Sequence, residues 1–399
     1  VMQGQVAGAA RNIWRATALV AAFAVGAALL PSASWVCAWA VLLGLAGVVL
    51  LPDNRWRTGS LLAAAVAIAV GLLNAFAGVL ASAPVGVGVV HTTDPKEWIP
   101  PEPVLGYRLL PNITVVETAT RGSETVYRVT YTSTADGTRT TVPAPPGADT
   151  YIFTGSSFIF GQGLPDDETL PSQFAHLNGD KVRTVNLSLP GYGVNHMVRA
   201  FEAGLFDRYK ADGKVKAVIT WITPAQLQWV TGDDEWLLHS PRYVLDDGVP
   251  RYTGSFLRNR LINPIAGASY LTCKYFAFAR QIGEAQRQAE QADLFVALMV
   301  RLQQLARERL GAPLYIIYSW PDDYSRPEDN VSPNDHSPLV KVLDRLRQAR
   351  IPMISADELT RGYPVNDIVI PYEGHPTALA TRLVAAGLKR RLTNDGYLN

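Results

Sequence analysis

The chain predicts an α/β fold on a parallel sheet, preceded by three transmembrane helices and a small β-module. Three observations carry that prediction. Three apolar runs of near-membrane length open the 399-residue sequence. From Ala148 onward, short apolar strands alternate with amphipathic helices. Between these regions lies a stretch of β-type alternation with turn signals.

The apolar runs cover about Trp14 to Leu30, Trp35 to Leu51 and Leu61 to Ala81. Each approaches the ~20 residues that cross a hydrocarbon core of ~30 Å. Pro31-Ser32-Ala33-Ser34 separates the first two, and Pro52-Asp53-Asn54-Arg55-Trp56-Arg57 opens the turn before the third. Arg11, Arg15, Arg55 and Arg57 all fall on one side of such a hairpin, and the first turn carries no charge. The positive-inside rule then sets the N-terminus in the cytoplasm and everything after the third span outside it. Two further spans argue against reading the first as a cleaved signal peptide. The expected place is a bacterial cytoplasmic membrane, with the C-terminal domain periplasmic or extracellular.

The expected organisation is a membrane anchor at 1–83, a Gly-, Val- and Pro-rich linker at 84–103, a small β-hairpin module at 104–147 and the α/β domain at 148–399. The hairpin is expected between Thr125–Thr132 and a second threonine-rich strand, turning at Asp136-Gly137. The predicted core strands are Thr150–Thr154, Val182–Leu187, Ala217–Ile222, Leu314–Tyr318 and Pro352–Ser355. The predicted helices are Leu170–Leu177, Asn195–Tyr209, a long one across Ala277–Arg309, Leu339–Ala349 and Thr377–Leu392. Such alternation buries a parallel sheet on both faces, with ligands at the carboxyl ends of its strands. The aromatic segment from Gln228 to Tyr275 has no clear period and reads as a lid or a docking surface.

Composition narrows the function classes. The formal net charge is +1, so nothing global points to nucleic acid. Cys37 and Cys273 are the two cysteines, one of them inside an apolar run; they read as free thiols, with no metal cluster. No metal or organic cofactor is implied.

The chemistry is expected at Gly155-Ser156-Ser157-Phe158, where an apolar strand stops on a turn. A serine there becomes a nucleophile if a base takes its proton and donors hold the oxyanion. Ser157 is the first candidate and Ser156 its rival. Among six histidines, His375 stands out, because Glu373 lies two residues before it. A carboxylate beside a histidine fixes its tautomer and stabilises the imidazolium. His196 follows Pro190-Gly191-Tyr192-Gly193 and could line the same edge, while His91 is expected near the membrane. A polar turn and a helix-capping histidine are the plain structural alternatives.

These blocks resemble the SGNH (GDSL-type) hydrolases, especially membrane-anchored bacterial members, across about Val104 to Leu392. The matching residues are Gly155-Ser156-Ser157-Phe158, Gly161-Gln162-Gly163, Asp166-Asp167-Glu168-Thr169-Leu170-Pro171, Asn186 to Gly193 and Glu373-Gly374-His375-Pro376. The resemblance implies a three-layer α/β sandwich and a Ser157-His375-Glu373 triad, with oxyanion N–H groups from Ser157 and Gly191. Ser156 stands where the family has aspartate, and Glu373 stands where it usually has aspartate. The family's third-block asparagine has no clear counterpart, Gln226 being the nearest substitute. Two readings follow: an esterase or acyl transferase working on an acylated envelope substrate, or a non-catalytic subunit docked to partner proteins of a membrane complex.

Overall fold

In a computed structural model, the described residues are 14–15, 17–23, 33–51, 53–81, 88–211, 214–232, 234–263, 284–319 and 338–398. Two compact units emerge, one of residues 1–86 with 263–282, the other of 87–262 with 283–399.

In the first unit, helix α1 (Ala33–Leu50) and helix α2 (Asn54–Ala81) form a hairpin. Small residues set the close approach. A Cβ on Gly47 would stand 2.4 Å from Ser60 Oγ, and one on Gly44 would stand 2.8 Å from Ala64 Cβ. At the turn, Arg57 Nε donates to the Leu51 carbonyl at 2.6 Å. Away from the seam, Leu42, Leu45, Val49, Leu61, Leu62, Val66 and Ile68 are all exposed. The first apolar run is helical at residues 14–15 and 17–23, and the rest of it lies outside the described residues. Among the described residues, no helix is long and apolar enough to cross a membrane.

The second unit opens with a three-stranded antiparallel sheet of β1 (Val89–Asp94), β4 (Thr114–Arg121) and β5 (Glu124–Thr132), in the order β1-β4-β5. The short strands β2 (Pro101–Glu102) and β3 (Gly106–Tyr107) pair beside it. The hairpin expected around Asp136-Gly137 forms one strand earlier. β5 pairs with β4 through a turn at Gly122, which takes φ 62°. Beyond Asp136-Gly137 the described residues make isolated bridges, Arg139 with Ser133 and with Asn186, rather than a strand. Residues 89–94, expected as linker, are a strand. Nor does the small sheet stand apart: Trp98, Leu105, Val115, Val129 and Tyr131 join the core of the α/β domain.

That domain holds a five-stranded parallel sheet in the order β12-β11-β8-β6-β7. The strands are β6 (Thr150–Gly155), β7 (Arg183–Ser188), β8 (Val215–Ile222), β11 (Leu314–Tyr318) and β12 (Met353–Ser355). Alternation along β6 explains the two layers. Ile152 faces one core with Met197 and Phe201 of helix α5 (Val194–Glu202) and Phe295 and Leu302 of helix α7 (Glu284–Leu305). Tyr151 and Phe153 face the other with Phe174 of helix α4 (Leu170–Leu177) and Leu388 and Leu392 of helix α9 (Ala378–Asn394). Helix α8 (Pro338–Gln348) packs along α7. The long predicted helix is seen over Glu284–Leu305 and continues as a π-helical turn at Ala306–Leu310, its start at 277–283 lying outside the described residues, and the predicted Asn195–Tyr209 helix breaks after Glu202. The segment after β8 contains an antiparallel hairpin, β9 (Pro241–Asp246) with β10 (Val249–Ser255).

The strand order decides where chemistry can sit. β7 lies on one side of β6 and β8 on the other, so the chain reverses direction across the sheet at β6. The crevice at such a switch point, outside the carboxyl ends of the strands, is where open α/β sheets bind ligands. Gly155-Ser156-Ser157 leaves β6 there.

Candidate functional site

Ser157 is the first residue of a one-turn helix, α3 (Ser157–Phe160), and is buried. Ser156 caps it in extended conformation. The helix stops at Gly161, whose φ of 79° suits glycine and whose N–H donates to the Ser157 carbonyl at 2.8 Å. The following loop is clamped by Arg139, a buried residue from the small module. Its guanidinium donates to the carbonyls of Phe160 (2.6 Å), Gly161 (2.8 Å) and Leu164 (2.6 Å) and to Asp166 Oδ1 (3.1 Å). It also lies over the Tyr131 and Phe160 rings. A charge within a threonine-rich run gave no sequence signal for this role.

The second block meets the serine turn directly. Leu189 N–H donates to the Gly155 carbonyl at 3.2 Å. Gly191 has φ 84° and sits under an aromatic roof. A Cβ there would lie 2.5 Å from the Trp236 ring and 2.7 Å from the Tyr107 hydroxyl oxygen.

Gln226 lies on a short helix, α6 (Ala225–Trp229), just after β8, and is fully buried. Its amide nitrogen donates to Ser156 Oγ at 3.0 Å and to the Trp221 carbonyl at 3.2 Å. Because the Trp221 carbonyl can only accept, the nitrogen must face it. Both amide hydrogens are therefore committed to the serine turn's own framework rather than offered to an oxyanion. Ser156, in turn, is an acceptor within that framework.

Glu373 and His375 come together in a tight turn. Tyr372 and Gly374 take φ values of 65° and 85°, and Ile370 bonds back to the His375 carbonyl at 2.8 Å. Glu373 Oε2 accepts from the His375 backbone N–H at 3.3 Å and pairs with His375 Nδ1. The Glu373 side chain is nearly inaccessible, at 3%. A carboxylate on Nδ1 fixes the proton there and leaves Nε2 as the basic nitrogen. The imidazole packs on Phe158, next in chain to Ser157, at 5.3 Å between centroids. Among the described residues no direct hydrogen bond joins Ser157 to His375; catalytic bonds are often long before substrate binds. A cavity of about 1050 Å³ opens alongside, lined by Phe158, Trp221, Thr223, Ser319, Ile370 and Glu373 among others.

The other histidines separate cleanly. His196 is fully buried and stacked on Tyr192 at 4.5 Å. Its Nδ1 accepts from Gly193 N–H at 3.0 Å, so Nε2 carries the proton and donates to Ser240 Oγ at 3.0 Å. Burial pulls it down to about 3, making it a neutral structural residue rather than a site base. His176 pairs with Asp180 at the surface, and the His239 backbone carbonyl covers Gly106. His336 lies outside the described residues. His91, expected near the membrane, lies with its Nε2 3.7 Å from Glu373 Oε1. Sequence reasoning missed it because pairing of β1 with β4, not chain proximity, brings it there. Among the described residues, no cluster of three or more His, Cys, Asp or Glu is arranged to hold a metal.

No protein-family model and no curated protein matches the chain. Similar solved structures include an SGNH hydrolase from Slackia heliotrinireducens, 13% identical over 60% of this chain and 97% of that one, with a TM-score of 0.32. Another is TesA, 15% identical over 62% of this chain and 99% of that one, with a TM-score of 0.35. A third is a lipase/acylhydrolase from Enterococcus faecalis, 13% identical over 62% and 96%, with a TM-score of 0.35. A fourth is the psychrotrophic esterase EstA from Pseudoalteromonas sp., 10% identical over 62% and 100%, with a TM-score of 0.34. These likenesses are distant, and the functional reading rests on this chain's own residues.

Proposed function

We propose that this chain is a membrane-anchored SGNH-type serine hydrolase or acyl transferase acting on an acylated envelope substrate. The observation that carries the reading is the buried Glu373 on Nδ1 of His375, with that imidazole packed on the residue after Ser157. Ser157 Oγ attacks the acyl carbonyl while His375 Nε2 takes its proton. Glu373 stabilises the imidazolium, and the N–H groups of Ser157 and Gly191 hold the oxyanion. His375 then protonates the leaving alcohol, and the acyl group stays on Ser157. Water or an acceptor alcohol, deprotonated by His375, releases it, giving hydrolysis or transfer.

Membrane attachment is part of the proposal. Its support is the α1–α2 hairpin, which packs through Gly44, Gly47, Ser60 and Ala64 and turns leucine and valine outward. Small residues at a helix seam with apolar residues outside suit lipid rather than water. The positive-inside pattern of Arg11, Arg15, Arg55 and Arg57 favours an envelope-facing catalytic domain.

The test is hydrolysis of p-nitrophenyl butyrate by the full chain in detergent micelles. Ser157→Ala and His375→Asn should each lose roughly 10²–10⁴-fold in rate, while Ser156→Ala keeps its nucleophile. Equal rates for the parent and Ser157→Ala would sink the enzyme reading. A second reading, a non-catalytic docking subunit of a membrane complex, is favoured by Gln226, whose donors are already used. Stable co-purification with partner proteins, without Ser157-dependent turnover, would select it.

A further inference from the structure

Glu373 is flanked by an imidazole on each side. Its Oε2 serves His375, and its Oε1 faces His91 Nε2 at 3.7 Å. The other nitrogen of His91, Nδ1, lies 3.0 Å from Glu117 Oε1 and 3.3 Å from the Tyr127 hydroxyl. Glu117 also accepts from the Tyr131 hydroxyl and, at 3.3 Å, from Gln162 Nε2. Gln162 belongs to the loop directly after α3, and the neighbouring Gly163 N–H donates to Tyr131 at 2.9 Å. One imidazole thus stands between two carboxylates whose side chains are only 3% and 4% exposed. Burying two such charges is costly without a cation to share.

We infer that His91 is a positioning residue: it holds the outer oxygen of Glu373 and, through Glu117, ties the Glu373-His375 turn to the loop that follows Ser157. Its functional consequence rests on the serine-hydrolase reading, whereas its geometry does not. The groups facing His91 are Glu117 from β4, Tyr127 from β5 and Glu373 from the 370–376 turn. The hydrogen bond to Glu117 raises the His91 imidazole above its ordinary value, outweighing burial, and Glu373 adds to the rise. Burial alone would raise Glu117, but the bonds from His91 and Tyr131 hold it below the usual carboxylate range. At pH values below the raised His91 pKa, a positive charge therefore sits across Glu373 from His375. That charge opposes protonation of His375 and competes for its carboxylate.

The experiment is a ¹³C NMR titration of the full chain in detergent micelles, labelled at histidine Cε1. The chain has only six histidines, and His91→Asn and His375→Asn assign the two signals that matter. In His91→Asn the His375 midpoint should move upward by about 0.5–1 pH unit. The double variant His91→Asn/Glu117→Gln leaves no lone Glu117 charge if the single variant folds poorly, and should move it upward by less. An unchanged or lowered His375 midpoint in the folded variants would overturn the inference. In parallel, the acid limb of kcat/KM for p-nitrophenyl butyrate should move the same way. A moved midpoint in a chain without esterase activity would support the positioning role while refuting the hydrolase reading. An unmoved midpoint in an active enzyme would do the reverse.

Discussion

Arg139→Met is the sharpest probe of how this chain builds a serine turn. The guanidinium is 1% exposed and satisfies three backbone carbonyls, those of Phe160, Gly161 and Leu164, besides its bond to Asp166. Methionine fills much of the volume but donates nothing. The Gly161 carbonyl keeps the Leu164 N–H at 3.1 Å, so two carbonyls are orphaned, each costing roughly 1–3 kcal/mol. Asp166 adds little, because it is partly exposed and keeps its bonds from Thr132 N–H. The expected loss is about 2–6 kcal/mol, a large share of the ~5–15 kcal/mol that holds a domain folded. Arg139→Lys, with a charge but no planar fork, should lose about half as much. Urea unfolding of the full chain in micelles, followed by tryptophan fluorescence, measures both. Serine labelling by a fluorophosphonate should slow even where Arg139→Lys remains folded. A loss under about 1 kcal/mol in Arg139→Met would refute the clamp, because it would mean the Phe160 and Leu164 carbonyls find other donors at no cost.

Two further outcomes follow from the same geometry. His196 is held neutral, pulled from 6.5 to about 3 by burial, so the unfolded chain binds its proton first as pH falls. Its contribution is complete above 6.5 and declines towards 3 at up to about 1.4 kcal/mol per pH unit; urea midpoints should lose that slope component in His196→Gln. Gly191→Ala places a Cβ against Trp236 and Tyr107 at a φ of 84°. It should cost about 2–4 kcal/mol, with part of the thermal-melt shift recovered in Gly191→Ala/Trp236→Ala.

The parallel sheet was legible because its strands are short, rich in apolar residues and separated by periodic helices; all five predicted runs became β6, β7, β8, β11 and β12 within two residues. Glu373 and His375 were legible because a single turn joins them. β1 was not, since Val89–Asp94 is mostly exposed and becomes a strand only by pairing with β4. Asp136-Gly137 carried a hairpin signal, yet Gly122 turns the hairpin, because β5 finds its apolar partner upstream. Arg139, His91 and Glu117 act through tertiary placement alone. Nothing in their local sequence distinguishes a buried clamp or a shared imidazole from surface charge. Gln226, expected as a substitute oxyanion donor, has both amide hydrogens engaged by Ser156 and Trp221, which its sequence position alone does not indicate.

The central claim is that Ser157, not Ser156, is an activated nucleophile served by His375. The most direct measurement is peptide mapping, by mass spectrometry, of the full chain treated with a fluorophosphonate near neutral pH. The account predicts one phosphonyl adduct, on Ser157, lost in Ser157→Ala and strongly slowed in His375→Asn. An adduct on Ser156, or an unmodified Ser157 in folded protein, would contradict it.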